Sequence, residues 1–280
     1  MSAELARPTV WAGVLSRRFD ALGGECELYA LDVTDAVLDS AQARIEAAHR
    51  RFTRFESDSE LSRLNAAAGT RVAVSEELEA LLRLALDAHE RSGGLVHAGV
   101  LPALLAAGYT RTFADGPTVA TLERSRPLPP LDEMLEVEPG RARLAPGSAL
   151  DLGGLAKGWL ADRCCEQLGP NALVNLGGDL RAGGPGPDGE GWPVGFASRT
   201  VLLADLGAAT SGTTRRRWGE ELHHLIDPRT GLPARSDLEE VSVLAPTAAE
   251  AEVLAKTALL LGRDAGEIWL EGKASGWSLT

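Results

Sequence analysis

Paired glycines with a carboxylate before them and an ammonium after them constrain this chain more than any other stretch: Asp151-Leu-Gly-Gly-Leu-Ala-Lys-Gly-Trp159. Lacking a Cβ, Gly153 and Gly154 permit a backbone path other residues resist, and let a ligand come close to main-chain N–H and C=O groups. Leu155, Trp159, Leu160 and Cys164 follow at helical spacing and end at Gly169-Pro170, a stop of glycine then proline. The spacing therefore predicts a helix that starts at the glycines. Free N–H groups and a partial positive charge gather at such a start, which suits phosphate, and Lys157 in the first turn reinforces it. Taken alone, the stretch is more simply a polar capping loop with a solvated lysine.

The 280 residues suffice for one large domain or two modest ones. No long apolar run occurs, so a soluble globular protein without a membrane span is expected. The first residues carry an early acid and neither an apolar core nor a lipobox-like cysteine, so no export signal is read. Cys26, Cys164 and Cys165 are odd in number and lack metal-type spacing, which points to reduced thiols and a cytoplasmic setting. A formal charge of -12 disfavours nonspecific binding to nucleic acid or anionic membrane. An anionic substrate then needs local positive charge, for which Lys157 and the arginines at 215–217 are candidates.

Residues 1–17 read as an N-terminal arm and 18–280 as a single domain. Glu25 to Val33 alternates like a half-buried strand, and Val37, Leu38, Ala41, Ile45, Ala48 and Phe52 mark an amphipathic helix. The polar segment from Phe52 to Asn65 leads into a short helix that Asp58 or Ser59 caps. Further helices are expected at 76–92, with Ser75 as cap and Gly93-Gly94 as stop, and at 101–107. Residues 110–133, rich in proline, threonine and charge, form a surface excursion. A hairpin turning at Pro139-Gly140 then returns the chain to Asp151. Strands are expected at 172–176, 192–197, 201–206 and 241–245, and a hairpin around Gly219-Glu220. Thr247-Ala-Ala-Glu250 is a capping-box pattern opening a last helix that runs to Gly262. Strands and helices in mixed order predict an α+β fold with mixed or antiparallel sheets and flanking helices.

Some chemistry-bearing patterns have plain alternatives. Gly184 to Gly189 fits the dinucleotide glycine pattern formally, but holds prolines and no helix follows, so it is set aside. The vicinal cysteines lie on a predicted helix and read as packing residues. In His223-His224, adjacent strand residues face opposite ways, so one can be buried while the other reaches a cleft. Glu252 and Lys256 stand four apart on the last helix, acid first, which alone is a surface ion pair worth a few tenths of a kcal/mol.

In order along the chain, Phe55 to Asn65, Asp151 to Gly158, Val174-Asn-Leu-Gly-Gly-Asp-Leu180, Ala209-Thr-Ser-Gly212, His223-His-Leu-Ile-Asp-Pro-Arg-Thr-Gly231 and Ala245 to Glu252 resemble the FAD:protein FMN transferase family. The resemblance spans roughly residues 18–265. It implies a T-fold-like α+β architecture, FAD as donor, magnesium, and transfer of FMN onto a Ser or Thr hydroxyl of a target flavoprotein with release of AMP. It also implies that Asp151 and Lys157 contact FAD, that Ile226 offers main chain to the flavin nucleotide, and that Leu22, Phe55 and His97 stand at flavin-contacting positions. His223 or His224 is then the base or transition-state stabiliser, and Gly154, Glu252, Ala255 and Lys256 occupy the metal-ligand positions.

This sequence departs from the family pattern at several of those positions. The family usually has Asp where Glu252 stands and Thr where Lys256 stands; it has Met, Tyr and Asp at the positions of Leu22, Phe55 and His97. A protonated lysine cannot ligate magnesium, and Thr257 points about 100° away on a helix. Flavin transfer is therefore expected with an altered metal site. The alternatives are hydrolysis of FAD to FMN and AMP, and an FAD-binding carrier or accessory protein without transfer. Common to the transfer reading is a spatial expectation, that the glycine-led helix start and the histidine hairpin close around the FAD pyrophosphate.

Overall fold

A computed structural model describes residues 11–67, 69–219 and 221–280. In chain order the elements are β1 (Val14–Ala21), β2 (Gly24–Leu31), α1 (Asp35–Phe52), α2 (Glu60–Ala66), β3 (Val72–Ala73), α3 (Glu76–Arg91), α4 (Leu101–Ala106) and α5 (Leu131–Met134). There follow β4 (Leu135–Glu138), β5 (Arg141–Leu144), α6 (Ala156–Leu168), β6 (Ala172–Leu176), β7 (Asp179–Gly183), β8 (Trp192–Phe196), β9 (Arg199–Leu203) and β10 (Leu206–Gly212). The remainder is β11 (Arg217–Trp218), β12 (Leu222–His223), β13 (Ile226–Asp227), β14 (Leu232–Pro233), β15 (Glu240–Ala245), α7 (Ala248–Leu261), α8 (Arg263–Leu270) and β16 (Gly276–Leu279).

The described residues divide into two compact units, one of residues up to 49 with 156–211 and 240–280, the other of 50–155 and 212–239. Of the expected arm, residues 14–17 instead form the first half of β1; residues 1–10 lie outside the described residues. Glu220, at the expected hairpin tip, also lies outside them.

The first unit is built on a seven-stranded sheet of order β1-β2-β6-β7-β10-β15-β16. The pairs β1–β2, β2–β6, β6–β7, β7–β10 and β15–β16 are antiparallel. Every residue of β6 is buried, because α6 packs on one face while Leu173 joins Tyr29, Leu180, Trp192 and Val194 in a core on the other. That two-sided burial explains why 172–176 lacks the alternation of a half-exposed strand. Two hairpin tips fall at one end of this sheet. Leu22 and Gly23 turn β1 into β2 with φ of +56° and +77°, a left-handed pair that matches strand twist but costs an L-residue such as Leu22 roughly 1–2 kcal/mol. Beside it, Gly177 N donates to Glu25 O at 3.0 Å, and Gly178 N donates to the buried Asn175 Oδ1 at 2.9 Å. Asn175 is itself held by Glu27 at 3.0 Å, so a buried polar network fixes the turn that delivers Asp179.

α6 begins at Ala156, two residues after the expected glycines, and ends at Leu168 before Gly169-Pro170 as predicted. It crosses α7 closely. A Cβ on Gly158 would meet Ala248 O at 2.7 Å and Ala249 Cα at 2.9 Å, both backbone, so Gly158→Ala must push the helices apart. Overpacking of this kind costs about 1–3 kcal/mol. We expect Gly158→Ala to lower the urea midpoint by a corresponding amount, and an unshifted midpoint would mean the crossing is looser than it looks. Asp162 of α6 accepts from Ala248 N at 2.8 Å and Ala249 N at 3.0 Å, a second cap for α7 beside Thr247, whose hydroxyl accepts from Glu250 N. The elements α8 and β16, and β7 after the Gly-Gly turn, had no counterpart in the sequence reading.

The second unit holds the three-stranded sheet β3-β5-β4 and the helices α2 to α5. Ser59 caps α2 and Ser75 caps α3, each hydroxyl accepting a backbone N–H. The hairpin of β4 and β5 pairs Val137 with Ala142 around Gly140 as expected. In β11 and β12, Arg217 pairs with His223; in β13 and β14, Ile226 pairs with Pro233.

Candidate functional site

The stretch 151–159 runs from one unit into the other, so Asp151 belongs to the second and Lys157 to the first. Each unit gathers its own constellation.

In the first unit, Lys157 in the opening turn of α6 is ion-paired with Asp179 at the start of β7; their side chains are 18% and 3% exposed. Glu252 of α7 is buried, and its Oε2 accepts from Gly158 N at 3.1 Å. The N–H and the ammonium that the sequence offered to phosphate are thus engaged by carboxylates of the same unit. Burial pushes the Glu252 carboxyl above the usual carboxylate range and Asp179 pushes the same way, while Lys256 and then Lys157 pull it down. Glu252 and Lys256 are therefore not the surface pair that spacing alone describes. Asp179 was quoted within a motif but given no role; a Gly-Gly-Asp turn after an apolar strand was the available signal.

These residues do not fit a resident magnesium ion. The position usually held by a Thr hydroxyl carries an ammonium, which repels a divalent ion by roughly 8 kcal/mol at about 4 Å and an effective dielectric near 20. The hydroxyl of Thr257 donates to Val253 O at 2.8 Å and is fully buried, so it does not substitute. Ala255 is also fully buried within α7. Among the described residues no three His, Cys, Asp or Glu side chains gather as a metal cluster.

In the second unit, Asp151 is fixed from every side. Its Oδ2 accepts from Arg54 Nε at 2.6 Å, its Oδ1 accepts from Gly153 N at 2.8 Å, and its own N–H donates to Ala98 O at 2.8 Å. Asn65 grips the preceding residue through both amide atoms, donating to Leu150 O and accepting from Leu150 N. Arg54 lies against two rings, its guanidinium carbon 4.2 Å from the Phe55 ring centre and 4.5 Å from that of Tyr109, the rings themselves 5.9 Å apart and tilted by 58°. The cation and two rings make an aromatic cluster, with Trp218 5.5 Å beyond Tyr109 and Phe55 exposed at its edge. Arg54 and Tyr109 were missed; the Arg-Phe pair in the polar loop was the only hint.

The histidines separate. His223 is 5% exposed; its Nδ1 accepts from Leu225 N at 3.3 Å, which leaves the proton on Nε2 to donate to Ala234 O at 3.0 Å. Both ring nitrogens are committed to backbone, and burial lowers its pKa. His224 is half-exposed and lies in a bend just after β12, its main-chain N–H donating to Arg216 O at 3.2 Å. His97 behaves like His223. It accepts from Gly99 N at 3.0 Å and donates to Pro129 O at 2.8 Å, capping a short 3-10 turn, so both ring nitrogens at this expected flavin-contacting position are engaged by backbone. The side chain of Ile226 joins Leu104, Tyr109 and Trp218 in a core, leaving only its main chain to meet a ligand.

All three cysteines are buried thiols rather than disulfides, and burial raises the Cys26 and Cys165 thiols to about 12, as suits packing residues. No helix among the described residues is long and apolar enough to cross a membrane.

Residues 22–277 match the ApbE family. An FAD:protein FMN transferase of Treponema pallidum is 34% identical over 241 residues, covering 73% of this chain and 66% of the relative; one of Haemophilus influenzae is 27% identical over 251 residues, covering 81% and 72%. The chain thus spans about two thirds of the length of these curated relatives. Among solved structures, the ApbE protein of Thermotoga maritima superposes with a TM-score of 0.82 at 23% identity, over 95% of this chain and 94% of that one. The flavin transferase ApbE of Vibrio cholerae gives 0.78 at 22% identity, over 95% and 97%. The α+β fold expected from the order of elements is the one these structures have, and the chain belongs to the ApbE family.

Proposed function

We propose that this protein moves FMN from FAD onto a Ser or Thr hydroxyl of a target flavoprotein. The hydroxyl oxygen attacks the FMN-side phosphorus, the P–O bond to the AMP half breaks, AMP leaves, and the hydroxyl proton passes to a base. The observation that carries this reading is the 34% identity to an FAD:protein FMN transferase; Asp151, Lys157 and His224 stand in the segments on which the sequence resemblance rests. His224 is the base in this reading, because His223 has no ring nitrogen to spare. Lys157 neutralises phosphate charge, which builds on the bridging and leaving oxygens during transfer. The ring of Phe55, backed by Arg54, offers a flat surface to an isoalloxazine, with Leu22 and the Ile226 main chain as further flavin contacts. Backbone strain at Leu22 fits such a role, since strained residues gather at ligand sites. Magnesium takes no part in the proposed steps. Three buried thiols support a reducing, cytoplasmic setting.

The test mixes purified protein, FAD and a flavin-acceptor domain, and follows the acceptor by mass spectrometry and AMP by chromatography. Covalent flavin on the acceptor with one AMP per transfer is the expected result. AMP and FMN without acceptor modification would make the protein an FAD hydrolase, and bound but unchanged FAD would make it a carrier.

A further inference from the structure

We propose that this chain carries the cation of its phosphate site covalently, as the Lys256 ammonium, and binds FAD without any divalent metal. The inference rests on the flavin reading for what the charge acts on, but its physical basis lies within one unit. Glu252 and Lys256 stand one helical turn apart on α7, and Gly158 N ties Glu252 to the opening turn of α6, where Lys157 meets Asp179. With Glu252 ionised, two carboxylates and two ammoniums share this place and their charges cancel. With threonine at 256 the same cluster would hold one surplus negative charge, which an added cation relieves. Lysine at 256 relieves it already.

The donor set agrees. Asp179 is engaged by Lys157, Glu252 accepts from a main-chain N–H, and the hydroxyl of Thr257 is turned back onto its own helix. A divalent ion would have to displace these bonds and sit beside ammonium groups. Position also suits the role. Residues 251–255 and 257–260 are buried, whereas Lys256 is half-exposed, so this lysine lies at the open margin of the helix.

The experiment uses the whole protein and two readouts besides turnover: Mn²⁺ uptake by electron paramagnetic resonance, and FAD affinity by fluorescence quenching with EDTA or with magnesium. We expect no Mn²⁺ uptake at millimolar metal, and FAD dissociation constants that agree within about twofold between EDTA and magnesium. Lys256→Thr should weaken FAD about tenfold or more in EDTA, and Glu252→Asp with Lys256→Thr should take up Mn²⁺ and recover FAD affinity when magnesium is added. Stoichiometric Mn²⁺ uptake by the unmodified protein, or a tenfold loss of FAD affinity in EDTA, overturns the proposal. Should the variants fail to fold, the unmodified protein decides by those two measurements. Should FAD bind under no condition, the flavin reading falls, while Mn²⁺ uptake still separates a metal site from a metal-free one.

Discussion

His224→Ala binds FAD as tightly as the unmodified protein and transfers flavin about 10²–10⁴-fold more slowly, the usual range for loss of a general base. The expectation comes from the division of labour in the histidine hairpin. His223 spends both ring nitrogens on Leu225 N and Ala234 O, so removing it leaves buried backbone groups unsatisfied and costs about 1–3 kcal/mol of stability. His224→Ala should therefore leave the urea midpoint unchanged, while His223→Ala shifts it. A His224→Ala protein that transfers flavin at the full rate removes His224 from the chemistry. The pair also differs in pH response. Burial lowers the folded-state pKa of His223 below its ordinary 6.5, and His97 shifts the same way. Above that value both states are neutral and nothing changes. As pH falls through it, the unfolded chain takes up the protons first, so stability declines. His223→Gln should flatten part of that decline between about pH 7.5 and about pH 5.5.

Lys157→Met should destabilise the protein by about 3–5 kcal/mol, because it strands the Asp179 carboxylate in a site where that side chain is only 3% exposed. The Glu252 carboxylate close by deepens the effect, since it too loses an opposing charge. Adding Asp179→Asn to Lys157→Met removes the stranded charge and should restore most of the lost stability, read as the urea midpoint. Flavin transfer should stay low in both variants, because Lys157 is assigned to the phosphates as well as to Asp179. A single Lys157→Met variant as stable as the unmodified protein would mean that solvent, not Lys157, balances Asp179.

Local chemistry was legible where a residue acts on its own neighbours. The caps at Ser59, Ser75 and Thr247, the stop at Gly169-Pro170 and the hairpin at Gly140 depend on bonds spanning a few residues, and each stands where its pattern placed it. β1 escaped because Arg17 stands between Leu15 and Phe19 on its more buried face, and of its eight residues only Ala21 is buried. The last helix was found and its meaning was not. Spacing described Glu252 and Lys256 as an exposed pair, whereas the close crossing allowed by Gly158 buries the carboxylate against α6.

By itself, the sequence determined the α+β class and the ordered motifs that hold Asp151, Lys157, His223, His224 and Glu252. The tertiary structure alone decided that Arg54 and Tyr109 hold the surroundings of Asp151, that Asp179 is the partner of Lys157, that His97 and His223 give both ring nitrogens to backbone, and that Glu252 is buried against Gly158 rather than exposed on α7. The reason is physical. Caps, turns and periodicity are set by neighbours in sequence, while burial, ion pairing and the engagement of a ring nitrogen are set by groups that may lie a hundred residues away along the chain, as Arg54 does from Asp151.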